Sequence, residues 1–199
     1  MGISRNRIVS SRIFAALLLL LILLSSPCVN RDGLPAFILR YTGFVLLSVA
    51  AFGRLWCSVF IAGYKTKTLV KEGPYSVVRN PLYLFSFIGA IGLGLATQMV
   101  VPVVLIAAAF LLYYPHIVTR EEARLEEGFG EEFSAYKKET PKWIPRLSNY
   151  QEPLECTVRL RFFRRALLDA VWFIWAFMIL ELIRRLQEAG IIPVFWKIP

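Results

Sequence analysis

Two groups of polar residues stand out against an apolar background, Arg79-Asn80-Pro81-Leu82-Tyr83 and Arg120-Glu121-Glu122. A pair of carboxylates complements a cationic ligand group, whereas arginine and backbone N–H groups hold a ligand carboxylate. His116 is the only histidine. It is either an interfacial hydrogen-bonding residue or the border of an acceptor pocket, where it could orient a carboxylate or take a proton from an amine.

The two groups are far apart in sequence, so the elements between them must bring them together. Residues 82–97 and 100–114 are apolar and separated only by Gln98 and Met99. So short a connection forces an antiparallel hairpin, and Arg79-Asn80-Pro81 at its start returns to the same side as Arg120-Glu121-Glu122 after its end. This convergence follows from topology alone. Gly89, Gly92 and Gly94 suit close approach of membrane helices. Gly92-Leu93-Gly94 lacks the strand and helix context of a dinucleotide-binding turn.

The chain has 199 residues, is 57% hydrophobic and carries a formal charge of +9, with a mean hydropathy of +0.57. That composition reads as a small polytopic membrane protein, with the charge in cytoplasmic loops rich in Lys and Arg. No basic stripe interleaved with aromatics suggests nucleic acid. Cys28, Cys57 and Cys156 are scattered and read as small apolar fillers, so neither a zinc site nor a disulfide framework is indicated and no metal is expected.

Arg5, Arg7 and Arg12 precede an apolar run at 13–24, which is either a signal peptide or a first membrane helix. Extension through Ser25 to Val29 gives it spanning length, and no A-x-A-like cleavage site follows, which favours a retained helix with a cytoplasmic N-terminus. After the turn Asn30-Arg31-Asp32-Gly33, a second apolar stretch covers 35–62. Its Arg40 can snorkel, and Arg54 either snorkels to the inner interface, the commoner outcome, or points into a site. Lys65, Lys67 and Lys71 place the following loop in the cytoplasm.

From 117 to 165 the chain is polar. Thr119-Arg120-Glu121-Glu122 matches a capping box, which predicts a cytoplasmic helix starting there, continuous with or bent from the fourth membrane helix. Gly128-Phe129-Gly130 interrupts it, and Glu131–Glu139 can form a second helix ended by Pro141. Residues 166–183 form either a fifth membrane helix or, given Asp169, Glu181 and the flanking arginines, an interfacial one.

Within residues 73–145, the chain joins Gly73-Pro74-Tyr75, Arg79-Asn80-Pro81-Leu82-Tyr83, the hairpin, Glu121-Glu122 and Phe129-Gly130. This stretch resembles the catalytic core of the integral-membrane methyltransferases related to isoprenylcysteine carboxyl methyltransferase and to the phospholipid N-methyltransferases. The resemblance implies S-adenosylmethionine as methyl donor. In that family an Arg-His-Pro-x-Tyr motif contributes main-chain and side-chain contacts to the donor, and a Glu pair lies in the same pocket. Carried over by position, Arg79, Asn80, Pro81, Tyr83, Glu121 and Glu122 are implied as cofactor-binding, with Tyr75 joining them and Phe129-Gly130, Phe133 and Tyr136 as supports.

Arg120, Glu122 and His116 are the implied catalytic candidates. Arg120 or Arg54 could clamp a carboxylate acceptor, which needs no base, whereas an amine acceptor needs Glu122 or His116. Asn80 replaces the commoner His. Phe85 stands where Gly is usual and is expected to narrow the pocket or alter its acceptor side.

The expectation is thus an all-α polytopic membrane protein with about five transmembrane helices and a cytoplasmic helical catalytic segment. Residues 1–63 hold two membrane helices, 64–147 the methyltransferase core and 148–199 a C-terminal segment. Its expected function is S-adenosylmethionine-dependent methyl transfer to a small lipophilic acceptor, with carboxylate O-methylation leading. The alternatives are N-methylation of a phospholipid amine and a non-catalytic scaffold that keeps the fold. The NADPH-dependent sterol reductases are similar in this core but have many more membrane helices. Expected partners are lipophilic substrates and membrane lipids, with no nucleic acid, in a bacterial or archaeal cytoplasmic membrane with the site facing the cytoplasm.

Overall fold

The computed structural model describes residues 2–31, 33–61 and 68–199. The chain is mostly helical, with α1 Gly2–Leu24, α2 Leu34–Ile61, α3 Pro74–Val77, α4 Pro81–Ala96, α5 Val100–Phe129, α6 Glu131–Glu139 and α7 Leu160–Glu188. Short strands β1 (Ser25–Pro27) and β2 (Trp196–Ile198) pair in parallel. Among the described residues three helices, α2, α5 and α7, are long and apolar enough to cross a membrane. The other two expected spans are shorter apolar helices, Ser11–Leu24 within α1 and Pro81–Ala96.

The first helix does not extend to Val29. It stops at Leu24, because Ser25–Pro27 turns its backbone outward to pair with the C-terminal strand. The Gln187 side-chain amide lies 2.9–3.2 Å from the carbonyl oxygens of Ile22, Leu23 and Ser25 and closes that junction.

The hairpin forms as expected from α4 and α5. Its turn holds Gln98 at φ 62, an unusual conformation for a residue with a side chain. The buried Gln98 amide donates to the Ala36 carbonyl at 3.0 Å and fixes it there. The exposed amides at the start of α5 are met by Pro199, whose carbonyl oxygen accepts from Val100 and Val101 at 2.7 and 3.2 Å, which supplies the acceptor a helix start requires.

Helix α5 runs unbroken from Val100 to Phe129, with Pro115 inside it. The helix expected at Thr119 is thus continuous with the preceding one, one of the two expected arrangements. The capping-box residues lie within an existing helix, whose amides are already paired, and the Thr119 hydroxyl instead accepts from Lys142 at 3.3 Å. Gly130, at φ 52, ends α5 and α6 follows.

Helix α4 packs on α2, and the glycines set the distance. A Cβ on Gly92 would lie 2.8 Å from the Gly43 carbonyl oxygen, and one on Gly43 would lie 2.6 Å from that of Gly92. Backbone atoms cannot swing aside. Gly92→Ala is therefore expected to destabilise the fold by about 2 kcal/mol, read as a lower thermal midpoint in detergent. Gly128→Ala, where nothing lies within 4 Å, is the control and should cost nothing.

Phe85 belongs to the same interface. Its ring covers Gly53, where an added Cβ would lie 2.2 Å from ring carbons. The expectation that it narrows the pocket is corrected by this orientation, since Gly53 has no side chain and leaves the space the ring takes. Helix α7 packs beside α2, and among the ionic residues that suggested an interfacial position Glu181 and Arg184 are paired. Glu181 lies 3.8 Å from Arg40 and 2.9 Å from Arg184. Lys71 pairs with Glu132 at 2.8 Å, while Lys65 and Lys67 lie outside the described residues.

Candidate active site

Gly73, at φ 58, starts the segment leading into the hairpin, and the Phe60 ring fills the space its Cβ would take. The short helix α3 buries Pro74, Tyr75, Ser76 and Val77. Tyr136 of α6 donates from its hydroxyl to the Tyr75 carbonyl at 2.6 Å. The chain then extends through Val78 to Asn80, and Pro81 opens α4 at a first-turn position, where its missing N–H costs nothing.

A returning segment covers this entrance. The Arg79 amide donates to Pro141 at 2.9 Å, the Arg146 amide to Val77 at 3.0 Å and the Gly73 amide to Gln151 at 2.8 Å. The Gln151 amide donates in turn to the Ser76 hydroxyl at 3.0 Å.

Opposite the entrance, α5 presents its two carboxylates in different settings. Glu121 Oε2 accepts from the Tyr83 hydroxyl at 2.7 Å. Glu122 is a hub: Oε1 lies 3.2 Å from Arg79 Nε, Oε2 lies 3.0 Å from Lys142 Nζ, and the Asn80 side-chain amide reaches Oε1 at 3.4 Å. The Arg79 contact is an ion pair without an aligned hydrogen bond from Nε. Arg79 Nη1 donates to the Lys137 carbonyl at 3.3 Å. Asn80 thus keeps the hydrogen-bonding role open to a side chain at that position.

These groups enclose a cavity of about 530 Å³ at one end of the helices, within the range of small-molecule and cofactor sites. Tyr75, Arg79, Asn80, Pro81, Tyr83, Arg120, Glu121 and Glu122 all line it. His116 is not among the lining residues; it is exposed, and its Nδ1 lies 3.1 Å from the Leu112 carbonyl one turn back on α5. Arg54 and Ser86 line the cavity as well, joined by a 2.6 Å hydrogen bond. Arg54 is therefore directed into the cavity, one of the two expected positions. Sequence reasoning missed Ser86 and Lys142, which carry no motif. Tyr114, also lining, contacts Tyr83 edge-on at 5.3 Å and stacks on Phe110 at 3.7 Å.

The Tyr75 hydroxyl is closed off from solvent and has no hydrogen-bond partner among the described residues. Burial pushes its ionisation well above the ordinary tyrosine range, and burial raises Tyr136 too. Both remain neutral donors at any physiological pH. An unpartnered hydroxyl in the wall costs stability until something accepts from it.

The fold defines a helical membrane protein with a cavity lined by polar side chains where its helices end. The phospholipid methyltransferase family model matches residues 36–132, and the chain belongs to that family of integral-membrane methyltransferases. It is 38% identical to the cobalt-zinc-cadmium resistance protein CzcN of Cupriavidus metallidurans over 150 residues, 75% of this chain and 69% of that one. To the nickel-cobalt-cadmium resistance protein NccN of Alcaligenes xylosoxydans xylosoxydans it is 32% identical over 197 residues, 99% and 92% of the two chains. A shorter match, 33% over 81 residues, links it to the protein-S-isoprenylcysteine O-methyltransferase of Schizosaccharomyces pombe, covering 41% of this chain and 34% of that one. No solved structure matches the chain.

Proposed function

We propose that this chain is an S-adenosylmethionine-dependent methyltransferase that acts on a small lipophilic acceptor at the membrane, with a carboxylate the favoured acceptor group. The observation that carries the proposal is the cavity itself. It sets an oriented carboxylate, Glu121 with Tyr83, beside a buried hydroxyl that lacks an acceptor. Such a wall suits a ligand that is cationic in one part and rich in hydrogen-bond acceptors in another, which S-adenosylmethionine is.

When bound, S-adenosylmethionine supplies an electrophilic methyl: the acceptor–methyl bond forms as the sulfonium–methyl bond breaks, and the bonding pair goes to sulfur. The protein side then needs no nucleophile, only alignment and exclusion of water. Glu121 complements positive charge, with Tyr83 fixing its orientation. Tyr75 donates to the ligand, and Arg120 at the wall meets a ligand carboxylate. Glu122 braces Arg79 and Lys142, which holds the Arg79-Asn80-Pro81 turn in place. His116 has no part, because it lies outside the cavity wall.

The metal resistance in the names of the two longest matches is context for this methyl transfer. Methylation at the membrane is the contribution we assign to this chain.

Calorimetric titration of S-adenosylmethionine and S-adenosylhomocysteine into detergent-solubilised protein tests the proposal. Wild type should bind both, and folded wild type that binds neither would remove the methyl-transfer mechanism. Tyr75→Phe gives an opposed pair of effects. Removing the unpartnered hydroxyl should stabilise the ligand-free protein by about 1 kcal/mol and weaken ligand binding about tenfold. Loss of stability without loss of affinity would show that the hydroxyl serves the fold.

A further inference from the structure

We propose that Arg54 is the acceptor anchor, a guanidinium set within the membrane helices to take the carboxylate of an amphiphilic acceptor at the inner end of the cavity. This rests on the methyl-transfer reading for the chemistry but not for the binding.

The first observation is that Arg54 has no countercharge among the described residues. It lies on α2, an apolar helix long enough to cross a membrane, about two turns before its end at Ile61. Ionised groups at such positions are costly and are paired or functional. Two other arginines of the bundle are paired: Arg40 with Glu181 at 3.8 Å, and Arg184 with Glu181 and Glu188 at 2.9 and 2.6 Å. Among the described residues, no carboxylate forms an ion pair with Arg54.

The second observation is how it is held. Nη1 donates to the Ser86 hydroxyl at 2.6 Å, and that hydroxyl donates to the Leu82 carbonyl at 2.7 Å, so its own hydrogen is committed. The Phe173 ring of α7 packs 5.9 Å from the guanidinium carbon. Nε is shut from solvent with no hydrogen-bond partner among the described residues. A fixed guanidinium with donors to spare is matched by a planar carboxylate, which accepts two parallel N–H bonds.

The third observation is the separation of charge across one cavity. Glu121, Arg54 and Tyr75 all line it, and no ion pair joins Glu121 to Arg54 among the described residues. One wall thus favours a cation and the other an anion. An ionised carboxylate is already a nucleophile, so no proton has to be removed and no base is required beside Arg54. This agrees with the absence of His116 from the lining residues.

The test is ligand-induced thermal stabilisation of the full chain in detergent, with oleate, oleyl alcohol, dioleoyl phosphatidate and S-adenosylhomocysteine as probes. Oleate should raise the wild-type midpoint by several degrees and oleyl alcohol should not. Arg54→Met should abolish the oleate shift, and Arg54→Lys, which keeps the charge but loses the planar fork, should weaken oleate binding about tenfold. Both variants should keep the wild-type shift with S-adenosylhomocysteine, which also shows that they are folded.

Equal shifts with oleate and oleyl alcohol, or an oleate shift that survives Arg54→Met, would overturn the proposal. So would loss of the S-adenosylhomocysteine shift in both variants, which would assign Arg54 to the donor. A shift with phosphatidate but not oleate, lost in Arg54→Met, would replace the carboxylate by a phosphate and overturn the assignment as stated. Failure of wild type to bind S-adenosylhomocysteine counts against methyl transfer, while the oleate comparison still decides the anion site.

Discussion

Replacing Glu122 by alanine should destabilise the folded protein by about 3 kcal/mol and abolish measurable ligand binding. Its side chain is 13% exposed and that of Arg79 12%, so the pair is largely withdrawn from water and the substitution leaves a guanidinium without its counterion. Loss of one partner in a buried pair costs about 3–5 kcal/mol, and the residual exposure places this pair at the lower end. Lys142, 28% exposed, retains more hydration, so Lys142→Ala should cost under about 1 kcal/mol. Binding fails in Glu122→Ala because Arg79 and Asn80 both lean on that carboxylate, and Pro81 and Tyr83 follow directly in the chain. Thermal unfolding of the two variants side by side is the check. Equal and small shifts would mean that Glu122 is not a structural hub.

Glu121→Gln should behave in the opposite manner, with the fold intact and the ligand lost. Glutamine retains a carbonyl oxygen for the Tyr83 hydroxyl, now 2.7 Å from Oε2, but it removes the negative charge from the cavity wall. Hydrogen bonds to charged partners contribute about 1.5–3 kcal/mol, which corresponds to a loss of about 10- to 100-fold in S-adenosylmethionine affinity. S-Adenosylhomocysteine has no sulfonium charge and should lose less. Equal losses for the two ligands would assign Glu121 to a group they share, and no loss for either would remove it from the site.

Much of this arrangement was legible in the sequence, for identifiable reasons. A two-residue connection leaves an apolar pair of helices no choice but to fold back, so the meeting of Tyr83 with Glu121 and of Asn80 with Glu122 followed from chain geometry. Gly130 and Pro141 delimit α6 because one permits a positive φ and the other cannot continue a helix. The Thr119 pattern left a continuous and a bent helix both open, and the structure has the continuous one, because capping chemistry acts only where a helix begins.

Other features left no local signal. Ser25–Pro27 becomes a strand only because residues remote in sequence offer it main-chain partners. Lys142 reaches Glu122 from a loop with no periodic pattern. Arg54 was ambiguous because snorkelling and inward orientation require the same residue at the same depth, and only the position of Ser86 on the neighbouring helix separates them. Phe85 was misplaced for a related reason, since Gly53, which accepts its ring, lies on another helix.

The main-chain bonds that tie residues 73–79 to 141–151 also bear on motion. Most of them are backbone to backbone, run between two segments outside the long helices and do not depend on how those helices pack. Such a patch opens and closes as one cooperative unit, with a free energy of its own below that of global unfolding. The amides of Gly73, Arg79 and Arg146 should therefore exchange with solvent deuterium at a common rate, distinct from that of the α2 and α4 amides. A water-borne ligand could then enter by lifting this cover while the helices stay where they are.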